Sequence, residues 1–379
     1  MSSYNFFFEL DSQYSLLKSS IEDRFKKIIE HKLFINGPEV QELEKKLANY
    51  VDVPFAYCAN NGTNSLIISL LAVGVKPGDE VITSPLSFGA TAMSILILGA
   101  VPVFVDIEPE TGLMAVNHIE SAITKNTKAI LPVSLYGQTC DMDAINDIAK
   151  KYNLAVIEDA CQSFGADYKG KKSGALSLIS AVSFFPGKAL GAYGNGGCVF
   201  TKDKELGKKI RSIRNQGQSK SLFYEFVGIN ALMDTFQAGV LLEKLKLFDE
   251  ELRIRQKKAD KYDHVFQTGQ WEVKPIQVKK DRASAISFYV LKSDKRDQIL
   301  KEFNKFEKPL PVYYPSPLFD QPAIEPRCKV HGDPQIARSF AEQVFSLPCH
   351  AYLKDSDQED IIQLMRKVNS SLKNYTAPV

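Results

Sequence analysis

Apolar positions in the first half of the chain repeat in two alternating periods. Residues 39–50 (EVQELEKKLANY) carry them at helical spacing behind a turn at Asn36-Gly37-Pro38, which predicts a helix. Residues 55–59 form a short apolar strand that breaks at Asn60-Asn61-Gly62, and Thr63-Asn64-Ser65 then opens an apolar helix over 66–73. The alternation continues with strands at 81–83, 103–106, 129–132 and 155–158, and helices near 91–98, 117–124 and 142–152. Strands alternating with helices predict an α/β fold around a mixed, mostly parallel sheet that meets its ligands at the carboxyl ends of the strands.

Beyond residue 200 the pattern changes. Residues 202–214 read as a charged helix and Asn215-Gln216-Gly217-Gln218 as a loop. Residues 234–266 read as one long helix with Phe236, Val240, Leu241, Leu245, Phe248 and Leu252 along one face. A domain boundary is expected inside it, near Phe248. It separates a large domain, 1–248, from a smaller α+β domain, 249–379. The latter holds strands at 271–273 and 288–291, a helix at 296–306, a rigid turn at 309–317 and a closing helix at 358–372.

The chain's candidate chemistry centres on residues 181–200, AVSFFPGKALGAYGNGGCVF. An apolar strand stops at Pro186-Gly187, Lys188 follows, and Gly191, Gly194, Gly196 and Gly197 precede the next apolar run. The glycines are expected to supply positive φ and close approach of the backbone. A lysine sheltered in such a loop can have its pKa lowered and attack a carbonyl. The plainer alternative is a hairpin with a solvated lysine at its tip. A Walker-type phosphate loop is disfavoured because Ala189 stands where Ser or Thr is needed.

Two further features accompany the lysine. The strand, glycine turn and helix start at residues 55–66 would form a seat for an anion, because the first N–H groups of a helix are unpaired. A plain cap by Thr63 or Asn64 explains the same residues. Three predicted strand ends carry polar or aromatic groups, at Ser84 to Phe88, at Ser134 to Gln138 and at Glu158 to Gln162. Asp159 would be a carboxylate in need of a cationic or donor partner, for which a structural ion pair or a helix cap is the alternative.

Composition narrows the class. Lys and Arg number 47 against 45 Asp and Glu, so no net field favours nucleic acid. The six cysteines show no CxxC spacing and suit reduced thiols in a cytoplasmic enzyme, and the five histidines are not paired at metal-binding spacing, so no metal site is expected. Residues 1–14 hold an apolar patch that meets Glu9 and Asp11 too early for a signal segment. Residues 81–105 lack charge, yet Pro85, Gly89 and Pro102 interrupt them, which fits strand, helix and strand rather than a membrane span.

Taken in order, NNGTNSL, SPLSFGATA, VIEDACQSFGA, SFFPGKALGAYGNGG, RNQGQ and GINALMDTFQAG resemble the DegT/DnrJ/StrS family of pyridoxal-phosphate-dependent nucleotide-sugar aminotransferases, of the fold-type I class. The resemblance begins at Ile35 and extends to YYPSPL and FSLPCHAYL, covering nearly the whole chain. It implies that Lys188 is the Schiff-base lysine and proton carrier, and that Asp159 pairs with the pyridine nitrogen. It further implies that Gln162 bonds near the ring hydroxyl, Phe88 stacks on the ring, and Gly62, Thr63 and Ser183 hold the phosphate. Asn230 would reach the phosphate of a neighbouring subunit, making the active unit a homodimer with shared sites. The implied reaction takes an amine from L-glutamate to a keto group, C3 by the motif branch with C4 as alternative, of a nucleotide-linked sugar in surface-glycan synthesis.

Four positions depart from the family pattern. Asn195 stands where an acidic residue is usual, Gln216 and Tyr313 where His is common, and Leu232 where Arg is common. The lost Arg and His put a uronic acid substrate in doubt. Relatives that deoxygenate sugars carry His at the lysine position, which Lys188 argues against. A catalytically silent regulator on the same fold is opposed by the intact Lys188 and Asp159. An aminotransferase acting on amino acids alone would need an arginine for the α-carboxylate, with Arg327 and Arg338 as candidates.

Overall fold

The structure, a computed structural model, describes residues 10–373. Most of the apolar N-terminal patch, residues 1–9, lies outside the described residues.

The sheet that organises the molecule has eight strands. Their spatial order is Phe55–Ala59, Gly197–Thr201, Ile179–Ser183, Ala155–Asp159, Thr127–Leu131, Glu80–Thr83, Val101–Phe104 and Lys329–Val330. Gly197–Thr201 pairs antiparallel with both of its neighbours, while the other pairings are parallel. The strand ends Ala59, Thr83, Leu131, Asp159 and Ser183 therefore share one rim with the start of the reversed strand at Gly197. Most of these strands are buried on both faces, as the unbroken apolar runs predict.

Helix boundaries follow local chemistry. Pro38–Val51 has proline in its first turn and ends on Asp52 in the left-handed region, φ 59°. It buries Val40, Leu43, Leu47 and Val51 against the helix Thr235–Lys244 and the strand Phe55–Ala59. Each fully buried leucine of this kind contributes about 2 kcal/mol. The uncharged stretch 81–105 folds as strand, helix (Ala90–Ile97) and strand, the last running over Val101–Phe104. No helix among the described residues is long and apolar enough to cross a membrane.

The single helix expected over 234–266 is two, Thr235–Lys244 and Phe248–Gln267. The break has a tertiary cause rather than a glycine or proline. Thr235–Lys244 is buried on nearly every side, whereas Phe248 turns into an aromatic cluster, its ring 5.5 Å from Phe164 and 5.6 Å from Tyr50. The strand expected at 271–273 lies instead at Lys274–Pro275, because Trp271 is used to end the preceding helix, its Nε1–H donating to the Val265 and Thr268 carbonyls. That strand joins Tyr289–Lys292 and Val344–Leu347 in a small antiparallel sheet over a core including Tyr262, Phe303, Phe345, Ile361 and Met365. Lys329–Val330 crosses back to extend the large sheet.

Candidate active site

The lysine-bearing segment leaves the rim at Ser183 and returns to it at Gly197. It is folded on itself: the Lys188 N–H donates to Phe185 O at 2.8 Å and the Ala192 N–H to Phe184 O at 2.8 Å. None of its glycines has positive φ. Their role is close approach. A Cβ on Gly191 would lie 2.4 Å from the Pro186 carbonyl oxygen. Lys188 is half-buried, and burial pushes its pKa below the usual lysine value, opposed by Cys161 and Asp159.

Asp159 ends its strand 3% exposed. Its carboxylate accepts from two neutral donors, Thr91 Oγ1 at 2.8 Å and the Cys161 N–H at 3.2 Å. Ser87 Oγ lies 2.7 Å from Thr91 Oγ1 and extends the chain of hydroxyls. Gln162 is held at both ends of its amide: Oε1 accepts from the Tyr136 N–H at 3.2 Å and Nε2 donates to the Tyr314 hydroxyl at 3.1 Å. Phe88, at the same rim, is 61% exposed.

The helix Gly62–Ala72 is capped by Asn61, whose side chain accepts from the Asn64 N–H at 2.7 Å, and not by Thr63 or Asn64. Gly62 faces Ser183 so closely that a Cβ there would sit 2.6 Å from the serine Cβ. Ser183 thus lies against a helix N-terminus, with Thr63 half-buried beside it. Asn230 is exposed, and its carbonyl receives the Asn60 side chain at 3.5 Å.

These residues fit a phosphorylated pyridine aldehyde. The contact between the Gly62 backbone and the Ser183 side chain leaves no space for a side chain on the glycine, and the helix start supplies unpaired N–H groups for an anion. A buried carboxylate with only neutral donors suits a protonated ring nitrogen, and burial favours the neutral amine that Lys188 needs.

None of the four departures from the family pattern is among the residues that meet at Gly62. Asn195 and Gln216 are exposed, the latter at φ 58°. Leu232 lines a basic cavity of about 870 Å³ with Asn36, Arg214 and Lys220. Tyr313 packs on Phe288, ring centroids 4.5 Å apart, and its carbonyl accepts from the Tyr136 hydroxyl. Arg327 is exposed and donates to the Ala323 carbonyl, and Arg338 pairs with Asp320, so both candidates for an α-carboxylate are engaged elsewhere. Sequence reasoning assigned no role to Thr91, Tyr136 or Tyr314. Tyr136 lies within the strand end at Ser134 to Gln138, Tyr314 within YYPSPL, and Thr91 one helical turn after Phe88, but nothing in the sequence marked any of them as a partner of Asp159 or Gln162.

The chain's similarity to known proteins agrees with this geometry. It is 43% identical over 348 residues to the UDP-2-acetamido-2-deoxy-3-oxo-D-glucuronate aminotransferase of Pseudomonas aeruginosa, with 92% of this chain and 95% of that protein covered. Among solved structures, a DegT DnrJ EryC1 StrS aminotransferase from Brucella abortus matches with a TM-score of 0.92 at 34% identity, over 96% of this chain and 99% of that one. NtdA from Bacillus subtilis, with bound cofactor PMP, matches with a TM-score of 0.86 at 30% identity, over 93% of this chain and 82% of that one. With residues 16–366 also matched by the family's model, the chain belongs to the DegT/DnrJ/EryC1/StrS aminotransferase family.

Proposed function

We propose that this aminotransferase moves an amine from L-glutamate to the C3 keto group of a nucleotide-linked sugar, in the supply of surface-glycan precursors. The observation that carries the reading is that the Lys188 loop leaves the strand next to the one Asp159 ends, with the Gly62 and Ser183 cradle beside them. A relative 43% identical to this chain is named for a UDP-linked 3-oxo sugar, which supports C3 over C4.

The cofactor is pyridoxal 5′-phosphate, which when bound supplies an electrophilic carbonyl and an electron-accepting ring. Lys188 would hold it and, once released, carry a proton between donor carbon and cofactor, its amine kept available by burial. Asp159, fixed by Thr91 and the Cys161 N–H, would keep the proton on the ring nitrogen. Gly62, Thr63 and Ser183 would take the phosphate, Gln162 would orient the ring hydroxyl, and Phe88 would cover the ring face. Asn230 would complete the phosphate site of a second copy, so the working unit would be a homodimer. We place the enzyme in the cytoplasm and divide it into domains 1–248 and 249–379, supported by the helix break before Phe248.

The test is spectroscopic. The purified protein should show a visible absorbance band that bleaches with L-glutamate and is missing in Lys188→Ala. A panel of nucleotide keto-sugars followed by mass spectrometry then identifies the acceptor. A protein that takes up no cofactor would sink the reading.

A further inference from the structure

A second cavity lies against the lysine loop. Its wall includes Lys188, Lys244, Glu251, Arg255 and His350, and its volume is about 30 Å³. Lys244 is only 2% exposed, yet among the described residues its ammonium donates no hydrogen bond and joins no ion pair; it lies 5.3 Å from the Tyr193 ring centroid. Arg255 donates through Nη1 to the Ile286 and Cys349 carbonyls, both at 3.2 Å, while its buried Nε has no acceptor. The nearby carboxylate, Glu251, is already engaged: its Oε1 accepts from Gln13 Nε2 at 2.6 Å and from the Tyr352 hydroxyl at 2.7 Å.

Among the described residues, two sheltered cations against one carboxylate leave a positive charge uncompensated, an arrangement that costs free energy unless an anion completes it. Burial and the neighbouring Arg255 accordingly push Lys244 down to about 8, with Glu251 opposing. The space suits a carboxylate head and is too small for a phosphate ester or a sugar ring. Because the wall is formed in part by Pro186, Gly187, Lys188 and Ala189, the anion would sit beside the residue to which a donor amino acid must bring its amine. We propose that this cavity seats the side-chain carboxylate of the amino donor, with Lys244 and Arg255 as its positive partners. The assignment rests on the aminotransferase reading and goes beyond it by naming where a dicarboxylic donor is recognised.

Glutarate, a dicarboxylate that has no amine to transfer, is the probe. Calorimetric titration into the cofactor-loaded enzyme should give binding that weakens about thirtyfold or more in Lys244→Met, the lower range for loss of one partner of a buried charge pair, and that returns in Lys244→Arg. The KM for L-glutamate should rise by a similar factor while the KM for the nucleotide sugar stays within about twofold. In glutarate-free buffer Lys244→Met should melt no lower than the parent, since it removes an uncompensated charge, and only the parent should gain melting temperature on adding glutarate. Unchanged glutarate affinity in Lys244→Met, or a KM change confined to the sugar, would overturn the assignment. Failure of the parent enzyme to react with L-glutamate at all would instead overturn the aminotransferase reading, and the glutarate titration would still report on the cavity.

Discussion

Gly62 and Ser183 meet across the rim of the sheet with no allowance for a side chain on the glycine, whose added Cβ would lie 2.6 Å from the serine Cβ and 2.9 Å from its Oγ. The contact joins the helix that starts at Gly62 to the strand that leads into the lysine loop. Gly62→Ala must therefore push the two apart where the phosphate is to be held. The expected result is cofactor affinity weakened by about tenfold or more, about 1.4 kcal/mol, read by absorbance titration with pyridoxal 5′-phosphate.

Thr91 acts on the site through Asp159, 2.8 Å away. Hydrogen bonds to a charged group are worth about 1.5–3 kcal/mol, so Thr91→Val should lower kcat by about tenfold or more with little change in KM for the sugar. A shift in the pH dependence of the visible absorbance band should accompany it, because the carboxylate that faces the ring nitrogen loses a donor.

Glu158 lies beneath Asp159, fully enclosed, accepting from Ser173 Oγ at 2.6 Å and from the Gly174 N–H at 3.0 Å. Burial pushes its carboxyl up to about 7. Between the unfolded value, near 4.5, and 7 the folded protein holds the proton that the unfolded chain has released. The associated stability is present below that lower value and is lost as pH rises through 7. Glu158→Gln should remove this dependence, gaining on the parent by about 3 kcal/mol at pH 8 relative to pH 4.5. Urea denaturation of both proteins at the two pH values gives the comparison.

Asn230 is exposed on its own subunit, and its proposed role lies on a second one. Asn230→Ala and Lys188→Ala should each be inactive or nearly so. Mixed after dissociation and reassociation, the two variants should recover about a quarter of parental turnover, because about half of the dimers are then hybrids with one intact site. No recovery on mixing would place both residues in one subunit's site.

The lysine loop was readable because glycine and proline punctuate it and apolar strands flank it, and Asp159 because a carboxylate closing a buried strand is conspicuous. The phosphate seat was readable as a strand, turn and helix start, although the cap proved to be Asn61. What escaped was decided by contacts between distant residues. Thr91 meets a partner 68 positions away, and Tyr314 meets one 152 positions away. The glycines of the loop were expected both to adopt positive φ and to permit close approach of the backbone, and only the second holds, a distinction that depends on the folded path. Lys244 lies in the helix expected over 234–266 but is not among the apolar residues named along its face, and packing by the N-terminal helix and the lysine loop encloses it. The helix break at Phe248 likewise depends on Phe164 and Tyr50, which no periodicity within the helix encodes.

The reversed strand Gly197–Thr201 has a consequence for how this enzyme can vary. By running against its neighbours it returns the chain to the edge it has just left, so the span carrying the reactive amine is pinned at two adjacent points. Residues added to or removed from the middle of that span alter its outline while both anchors stay in register. Changes in acceptor preference can then accumulate around the amine without disturbing the frame that positions it.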